Sequence, residues 1–228
     1  MKAVILAAGK GTRMKSNTHK TLIKINGKSI LRHNMDSIFN LVDEFIFIVG
    51  HKSNEIKKEF GDNYKGKKVT YVIQEQQLGT GHALYQAKDL IDDRFINFNG
   101  DDIYSLGDIR ECLNYELAAL ATTVNDPENF GVILERQGYL KDIIEKPKKF
   151  ISKQISAGLF VFSPEVFDVL KDIIINNKKS QRGEFELVDA VKQLALKNKI
   201  KVVGVKGYWL PHNKIEDVKK SKELFKIL

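Results

Sequence analysis

The sequence predicts an α/β protein built on a doubly wound, mostly parallel sheet, and three observations carry that prediction. Short buried-type apolar runs recur at residues 3–7, 44–49, 69–73 and 94–98. Stretches with apolar residues at helical spacing separate them, as in Ile30, Leu31, Met35 and Ile38. Several of the runs break into glycine-bearing turns: Gly9 and Gly11, Gly50, Gly79 and Gly81 in the stretch after residue 73, and Gly100. Strands that alternate with helices in this way form parallel sheets with helices on both faces, and ligands bind beyond the carboxyl ends of the strands.

In order, the first half reads as a strand at 3–7, a short strand and turn at 22–27, a helix at 29–39 and a strand at 44–49. A polar helix at 53–60, a strand at 69–73, a helix at 80–90 and a strand at 94–98 follow. The second half changes rhythm, with strands at 118–124, 131–135, 140–145 and 156–162 and few helices between them. Helices return at 164–175 and 184–197, a strand at 202–205 leads to a last helix at 214–227. No internal repeat or long linker interrupts the chain. The expectation is one domain over residues 1–228, with a first half at 1–115 and a substrate-facing lobe at 116–228.

The 228 residues, 43% hydrophobic and 29% charged, describe an ordinary globular protein with enough chain to bury a full core. Met1 leads directly into a strand, so no signal peptide is expected ahead of it, and no apolar run approaches the roughly 18 residues of a membrane span. A single Cys112 cannot make an internal disulfide, which fits a reducing cytoplasm, and its helical setting reads as a structural thiol. The formal charge of +8 calls for an anionic partner. Its lysine pairs are scattered, with no aromatic-interleaved patch, so neither a nucleic acid nor a membrane is expected and small phosphorylated ligands are favoured.

The residues with chemistry to offer cluster at the predicted strand ends. Gly9 and Gly11 let the backbone turn sharply and present N–H groups, while Lys10, Arg13, Lys15 and Lys20 supply cations, as a nucleoside triphosphate requires. The third glycine of the dinucleotide fingerprint is replaced by Met14, and the second strand ends in Gly50-His51 rather than an acid. The G-x-x-x-x-G-K-[ST] phosphate loop is absent too. After the third strand, Gly79 and Thr80 open a helix that Thr80 can cap, and the amide of Gln74 or Gln77 matches the donor and acceptor edge of a uracil or thymine. Asp101, following Asn99-Gly100, suits a hard cation such as Mg²⁺ together with phosphate oxygens. Gly131, Glu145 and Lys146 are candidate contacts for a phosphorylated sugar.

Taken in order, these segments resemble the sugar-1-phosphate nucleotidylyltransferases. LAAGKGTRM, with Lys20 beyond it, is similar to the family's L-A-A-G-x-G-T-R-[LM] loop. NGDD is similar to its metal-binding G-D, IIEKP to its E-K-P, SAGLFVF to a sugar-side strand, and GEFEL to a helix start. QEQQLGTGHAL most resembles the uridylyltransferase domain of the N-acetylglucosamine-1-phosphate enzymes. The resemblance implies a Rossmann-like nucleotidyltransferase fold, with a nucleotide-binding half at 1–115 and a sugar-binding half at 116–228. It implies an enzyme that condenses an NTP, UTP first, with N-acetylglucosamine or glucose 1-phosphate to give an NDP-sugar and pyrophosphate, for a UDP-sugar pathway feeding cell-envelope polysaccharide. A thymidylyltransferase and a non-catalytic sugar-nucleotide-binding module remain the alternatives, and a homo-oligomer is left open. The implied nucleotide contacts are Leu6, Ala7, Ala8, Gly9, Gly11, Thr12, Gln74, Gln77, Gly79 and Thr80, with Lys10, Arg13 and Lys20 as catalytic cations. Asn99, Gly131, Glu145, Lys146 and Ser156 would face the sugar phosphate, and Asp101 with Asn213 would hold Mg²⁺. The chain departs from the pattern where relatives carry W-x-D-[IV]-G: here the run is Trp209-Leu210-Pro211-His212-Asn213. Ser156 stands where the N-acetylglucosamine enzymes have Asn, and His19 where the family's proline precedes the lysine.

Overall fold

The computed structural model describes residues 1–9, 11 and 18–226. Strand β1 (Lys2–Ala7) is followed by a hairpin of β2 (Lys24–Ile25) and β3 (Lys28–Ser29), then α1 (Ile30–Ile38), β4 (Glu44–Val49) and α2 (Ser53–Phe60). The chain continues through β5 (Asn63–Tyr64), β6 (Lys67–Ile73), α3 (Thr80–Tyr85), β7 (Phe95–Asn99), β8 (Asp102–Tyr104) and α4 (Leu106–Leu113). The second half supplies β9 (Ala118–Thr123), β10 (Gly131–Arg136), β11 (Tyr139–Glu145), β12 (Gln154–Phe162), α5 (Glu165–Ile175) and α6 (Leu187–Ala195). It closes with β13 (Lys201–Gly204), β14 (Trp209–Pro211) and α7 (Ile215–Leu224).

Ten strands form one sheet in the order β10-β11-β13-β9-β12-β7-β1-β4-β6-β5. The parallel set expected from the alternation of strands and helices is β7-β1-β4-β6, in register from Lys2 against Glu44 and Phe95. The change of rhythm in the second half has a structural counterpart: β12 enters antiparallel between β7 and β9, and only the β9–β13 pair there is parallel. Successive side chains of a strand point to opposite faces, so each strand feeds two cores. Val4, Ile46 and Ile48 pack with Leu84 of α3, Leu170 of α5 and Val191 of α6. Ala3, Ile5, Phe45 and Phe47 pack with Met35 of α1, Phe60 of α2 and Cys112 of α4 on the other face. Both faces are therefore covered, which is the doubly wound arrangement. Cys112 is fully buried and its thiol pKa is pushed up to about 12 by burial, as befits a packing residue.

Among the short strands that were not legible in the sequence, two matter most for the site. β8 and β14 form a separate two-stranded pair, Trp209 opposite Tyr104 and Pro211 opposite Asp102. The predicted helix at 184–197 begins only at Leu187, because Phe185 is bonded instead to the loop before α3. Among the described residues, no helix is long and apolar enough to cross a membrane.

Candidate active site at the carboxyl edge of the parallel strands

The ends of β1, β4, β6 and β7 are fastened to one another by main-chain and side-chain bonds. Gly100 N–H donates to Leu6 O at 2.9 Å, and Gln77 Nε2 donates to Ala8 O at 2.7 Å. Gly50 passes so close that a Cβ there would stand 2.9 Å from Ala8 O. Ala7 and Ala8 are buried, so only their backbone is placed to meet a ligand, and the Ala8 carbonyl is already used. Beyond them the chain turns over Lys20: a Cβ on Gly11 would lie 3.2 Å from Lys20 Cβ, and Gly11 has φ +61°. Lys10, Thr12 and Arg13, the other expected triphosphate contacts, lie outside the described residues.

Lys20 sits on a short 3-10 turn (Lys20–Leu22) that His19 caps, with His19 Nδ1 2.9 Å from Thr21 Oγ1. His19 N–H donates to Glu55 Oε2 at 2.8 Å, a bond that a proline at this position would lack. Burial, and then the charge of Lys20, lowers the His19 pKa to about 4, so the ring is neutral. From this turn Lys20 Nζ forms an ion pair with Asp101 Oδ2, joining the segment that follows the opening loop to the end of β7. Burial alone would raise the Asp101 pKa, but the Lys20 ammonium holds the carboxyl below its ordinary value. Asp102 behaves oppositely. It is buried, Tyr104 Oη and Asn99 Nδ2 each approach its Oδ2 at 3.3 Å, and burial followed by the Asp101 charge pushes its pKa up. Adjacent acids thus divide into an ionised one at the site and a protonation-prone one facing inward.

Asn213 reaches this edge through β14. The residue before it, His212, donates from Nδ1 to Asp101 O at 2.9 Å, and Asn213 N–H donates to Asp217 Oδ2 at 2.9 Å. Sequence reasoning missed His212, because no spacing rule connects it to Asp101; the β8–β14 pairing does. A carboxylate and a carboxamide, both oxygen donors, together with phosphate oxygens and water match the preference of a hard divalent cation, so the residues fit such an ion. Among the described residues, His, Cys, Asp and Glu alone form no cluster of three that could hold one.

The loop before α3 departs from expectation in a definite way. Thr80 does not cap its own helix, whose N-cap is Gly79 without a side-chain bond; its Oγ1 accepts from Leu187 N–H at 3.0 Å and caps α6. Gly81 N–H donates to Phe185 O and Phe185 N–H donates to Leu78 O, both at 2.8 Å. Gly79 has φ +117° and lies where a Cβ would be 2.5 Å from Phe185 O. Gln74 is buried, and its amide nitrogen serves Gly79 O and His82 Nδ1, each at 3.1 Å. Both hydrogens of the Gln74 amide nitrogen have partners within the chain, which leaves its amide oxygen for a base, whereas Gln77 gives one of its two N–H donors to Ala8 O.

The expected sugar side converges on the start of α6. Gly131 faces Glu145 in the β10–β11 register, and a Cβ on Gly131 would meet Val188 Cγ1 at 3.1 Å. Lys146 adopts φ +43°, a conformation a non-glycine residue rarely takes, and its N–H donates to Phe130 O at 2.9 Å. Lys146 Nζ lies 3.4 Å from Glu145 Oε1, and Arg182 lies 3.7 Å from the same oxygen and 3.0 Å from Glu186 Oε1. Glu186 is 3% exposed, and burial with the Glu145 charge pushes its carboxyl pKa up to about 6. Ser156 Oγ accepts from Gly158 N–H at 3.1 Å within a bulge of β12, and Asn99 packs over Gly158. The helix that Thr80 caps is therefore also the one whose approach, residues 182–186, grips Glu145.

Comparison with known proteins adds to this geometry. A family described as nucleotidyl transferase matches residues 2–218. The "Bifunctional protein GlmU" of Methanococcus maripaludis strain S2 is 42% identical over 215 residues, covering 92% of this chain and 50% of that protein. The chain thus spans about half the length of that relative. The "UTP--glucose-1-phosphate uridylyltransferase AglF" of Haloferax volcanii is 31% identical over 230 residues, covering 95% of this chain and 93% of its own. A crystal structure of UDP-glucose pyrophosphorylase complexed with UDP-glucose superposes with a TM-score of 0.88 at 20% identity, over 99% of this chain and 98% of that one, a likeness of fold.

Proposed function

The chain belongs to the nucleotidyl transferase family, and from that premise we propose that it joins a nucleoside triphosphate, UTP first, to a sugar 1-phosphate, releasing pyrophosphate. The observation that carries the proposal is the Lys20–Asp101 ion pair, a cation and an acid brought together at the sheet edge from 81 residues apart. UTP as the nucleotide and N-acetylglucosamine or glucose 1-phosphate as the acceptor draw support from the relatives similar to this chain, one bearing the GlmU name and one named as a UTP–glucose-1-phosphate uridylyltransferase.

The chemistry asks little of a general base. A phosphate monoester has a second pKa near 6, so the acceptor is mostly a dianion at neutral pH. Its oxygen attacks the α-phosphorus in line, a new P–O bond forms, and the bond to the β-phosphate oxygen breaks to release pyrophosphate. What remains for the protein is positioning and charge neutralisation. Lys20 neutralises the phosphates between which the bond forms, with Arg13 and Lys10 on the leaving pyrophosphate. Asp101 and Asn213 would hold a divalent cation, Mg²⁺ in our reading, which when bound supplies neutralising charge for the phosphate oxygens. Glu145 accepts from sugar hydroxyls and Lys146 holds the sugar phosphate. The main chain of Leu6, Ala7 and Gly9, with Gly79 and the Gln74 amide oxygen, lines the nucleotide side.

The test is pyrophosphate release with Mg²⁺ across a grid of UTP, dTTP and the other common triphosphates against sugar 1-phosphates. UTP-selective turnover with one of the two named acceptors is expected. Preference for dTTP would move the assignment to a thymidylyltransferase. Nucleotide binding without turnover on any pair would leave a sugar-nucleotide-binding module in place of an enzyme.

A further inference from the structure

We infer that His212 is a positioning residue that fixes the cation-facing turn, locking the main chain of Asp101 so that the Asp101 carboxylate and the Asn213 amide are held as one unit. The inference rests on the assignment of Asp101 and Asn213 to a divalent cation and adds to it a residue that no spacing rule reveals. The turn at residues 100–102 is pinned at each residue. Gly100 N–H donates to Leu6 O at 2.9 Å, Asn34 Nδ2 donates to Asp102 O at 2.5 Å, and His212 Nδ1 donates to Asp101 O at 2.9 Å. The first two tie the turn to β1 and α1. The third, alongside the pairing of β8 with β14, ties it to the segment that carries Asn213.

The β8–β14 pairing ends with Pro211 opposite Asp102. His212, the next residue, adds a bond from its ring to the carbonyl of Asp101. A carbonyl can only accept, so Nδ1 carries the proton. Nε2, 2.9 Å from Ser221 Oγ, then accepts from the hydroxyl of α7. The ring is 1% exposed and is held at both nitrogens. Outer partners of this kind set the orientation of metal ligands, and their loss typically costs 10–100-fold in metal affinity.

Two substitutions separate the two bonds. The amide nitrogen of His212→Asn takes the place of Nδ1 and keeps the Asp101 bond, whereas that of His212→Gln takes the place of Nε2 and keeps only the Ser221 side. Trp209, the single tryptophan, lies on β14 with its ring 5.7 Å from Phe130, so its fluorescence reports on this element. Mn²⁺ is titrated into the full chain and Trp209 quenching is followed, with thermal unfolding measured on the same samples. The midpoint for His212→Asn is expected within a few-fold of wild type, and that for His212→Gln about tenfold or more higher. Ser221→Ala, which removes only the far bond, is expected to leave the midpoint in place and keeps the test open should His212→Gln not fold. Equal midpoints for Asn and Gln, or a tenfold shift in Ser221→Ala, overturn the positioning role while leaving the cation assignment standing. Absence of Mn²⁺ binding by the wild-type chain overturns both, the assignment first.

Discussion

Substituting Gly79 tests whether the loop before α3 and the approach to α6 are a single packed unit. Gly79 has φ +117° and ψ 174°, a region open essentially to glycine, so Gly79→Ala carries a backbone cost of about 1–3 kcal/mol before any contact is counted. The new Cβ would lie 2.5 Å from Phe185 O and 2.8 Å from Phe185 N, both main-chain atoms that cannot swing aside. Relief requires residues 184–186 to move away. That loosens the Gly81–Phe185 and Phe185–Leu78 hydrogen bonds and the Thr80–Leu187 cap, each worth about 1 kcal/mol. The expected loss is about 3–6 kcal/mol, which in a chain of this size lowers the Tm by roughly 6–24 °C. Gly183→Ala is the control: its φ of +77° also strains alanine, but nothing lies within 4 Å of its Cβ. Thermal unfolding by circular dichroism measures both. A Gly79→Ala Tm within a degree or two of wild type, or no lower than that of Gly183→Ala, would refute the close packing.

Lys20→Ala and Asp101→Asn should each abolish or cut turnover by about 10²–10³ with the far-ultraviolet spectrum unchanged, and wild-type-like pyrophosphate release in either variant removes that residue from the mechanism. His19 makes stability pH-dependent. Its ring protonates near 6.5 in the unfolded chain and about 4 in the folded one, so the unfolded state holds more protons in that window and stability falls as pH drops through it, by about 3 kcal/mol at most. Urea midpoints at several pH values, with His19→Gln as reference, check this; equal slopes in the two proteins would count against it. Arg182→Ala removes the cation 3.0 Å from buried Glu186 and 3.7 Å from Glu145. The expected result is a KM for sugar 1-phosphate that rises several-fold with kcat nearly kept, and an unchanged KM would detach Arg182 from the sugar side.

What the sequence determined by itself is whatever is carried by local pattern. Apolar runs and helical spacing located β1, β4, β6, β7, α1 and α2 within a residue or two, because a strand buried on both faces must be apolar throughout. The glycines of the opening loop and the acid after Gly100 stood out in the sequence as candidate ligand contacts because their residue types are costly without a purpose. Tertiary structure decided which partners those residues meet. Thr80 had a vacant helix start beside it in sequence, yet it caps one 107 residues away, because Phe185 docks against Gly79 and Gly81. Gln74 read as a free amide, and the fold spends its nitrogen on Gly79 and His82. β8 and β14 are three residues each, too short for periodicity to register, and only their pairing delivers His212 to Asp101. Periodicity records which face of an element is buried; it holds no record of what is buried against it. That distinction, between burial and partner, separates the fold that the sequence reveals from the site that only the folded chain assembles.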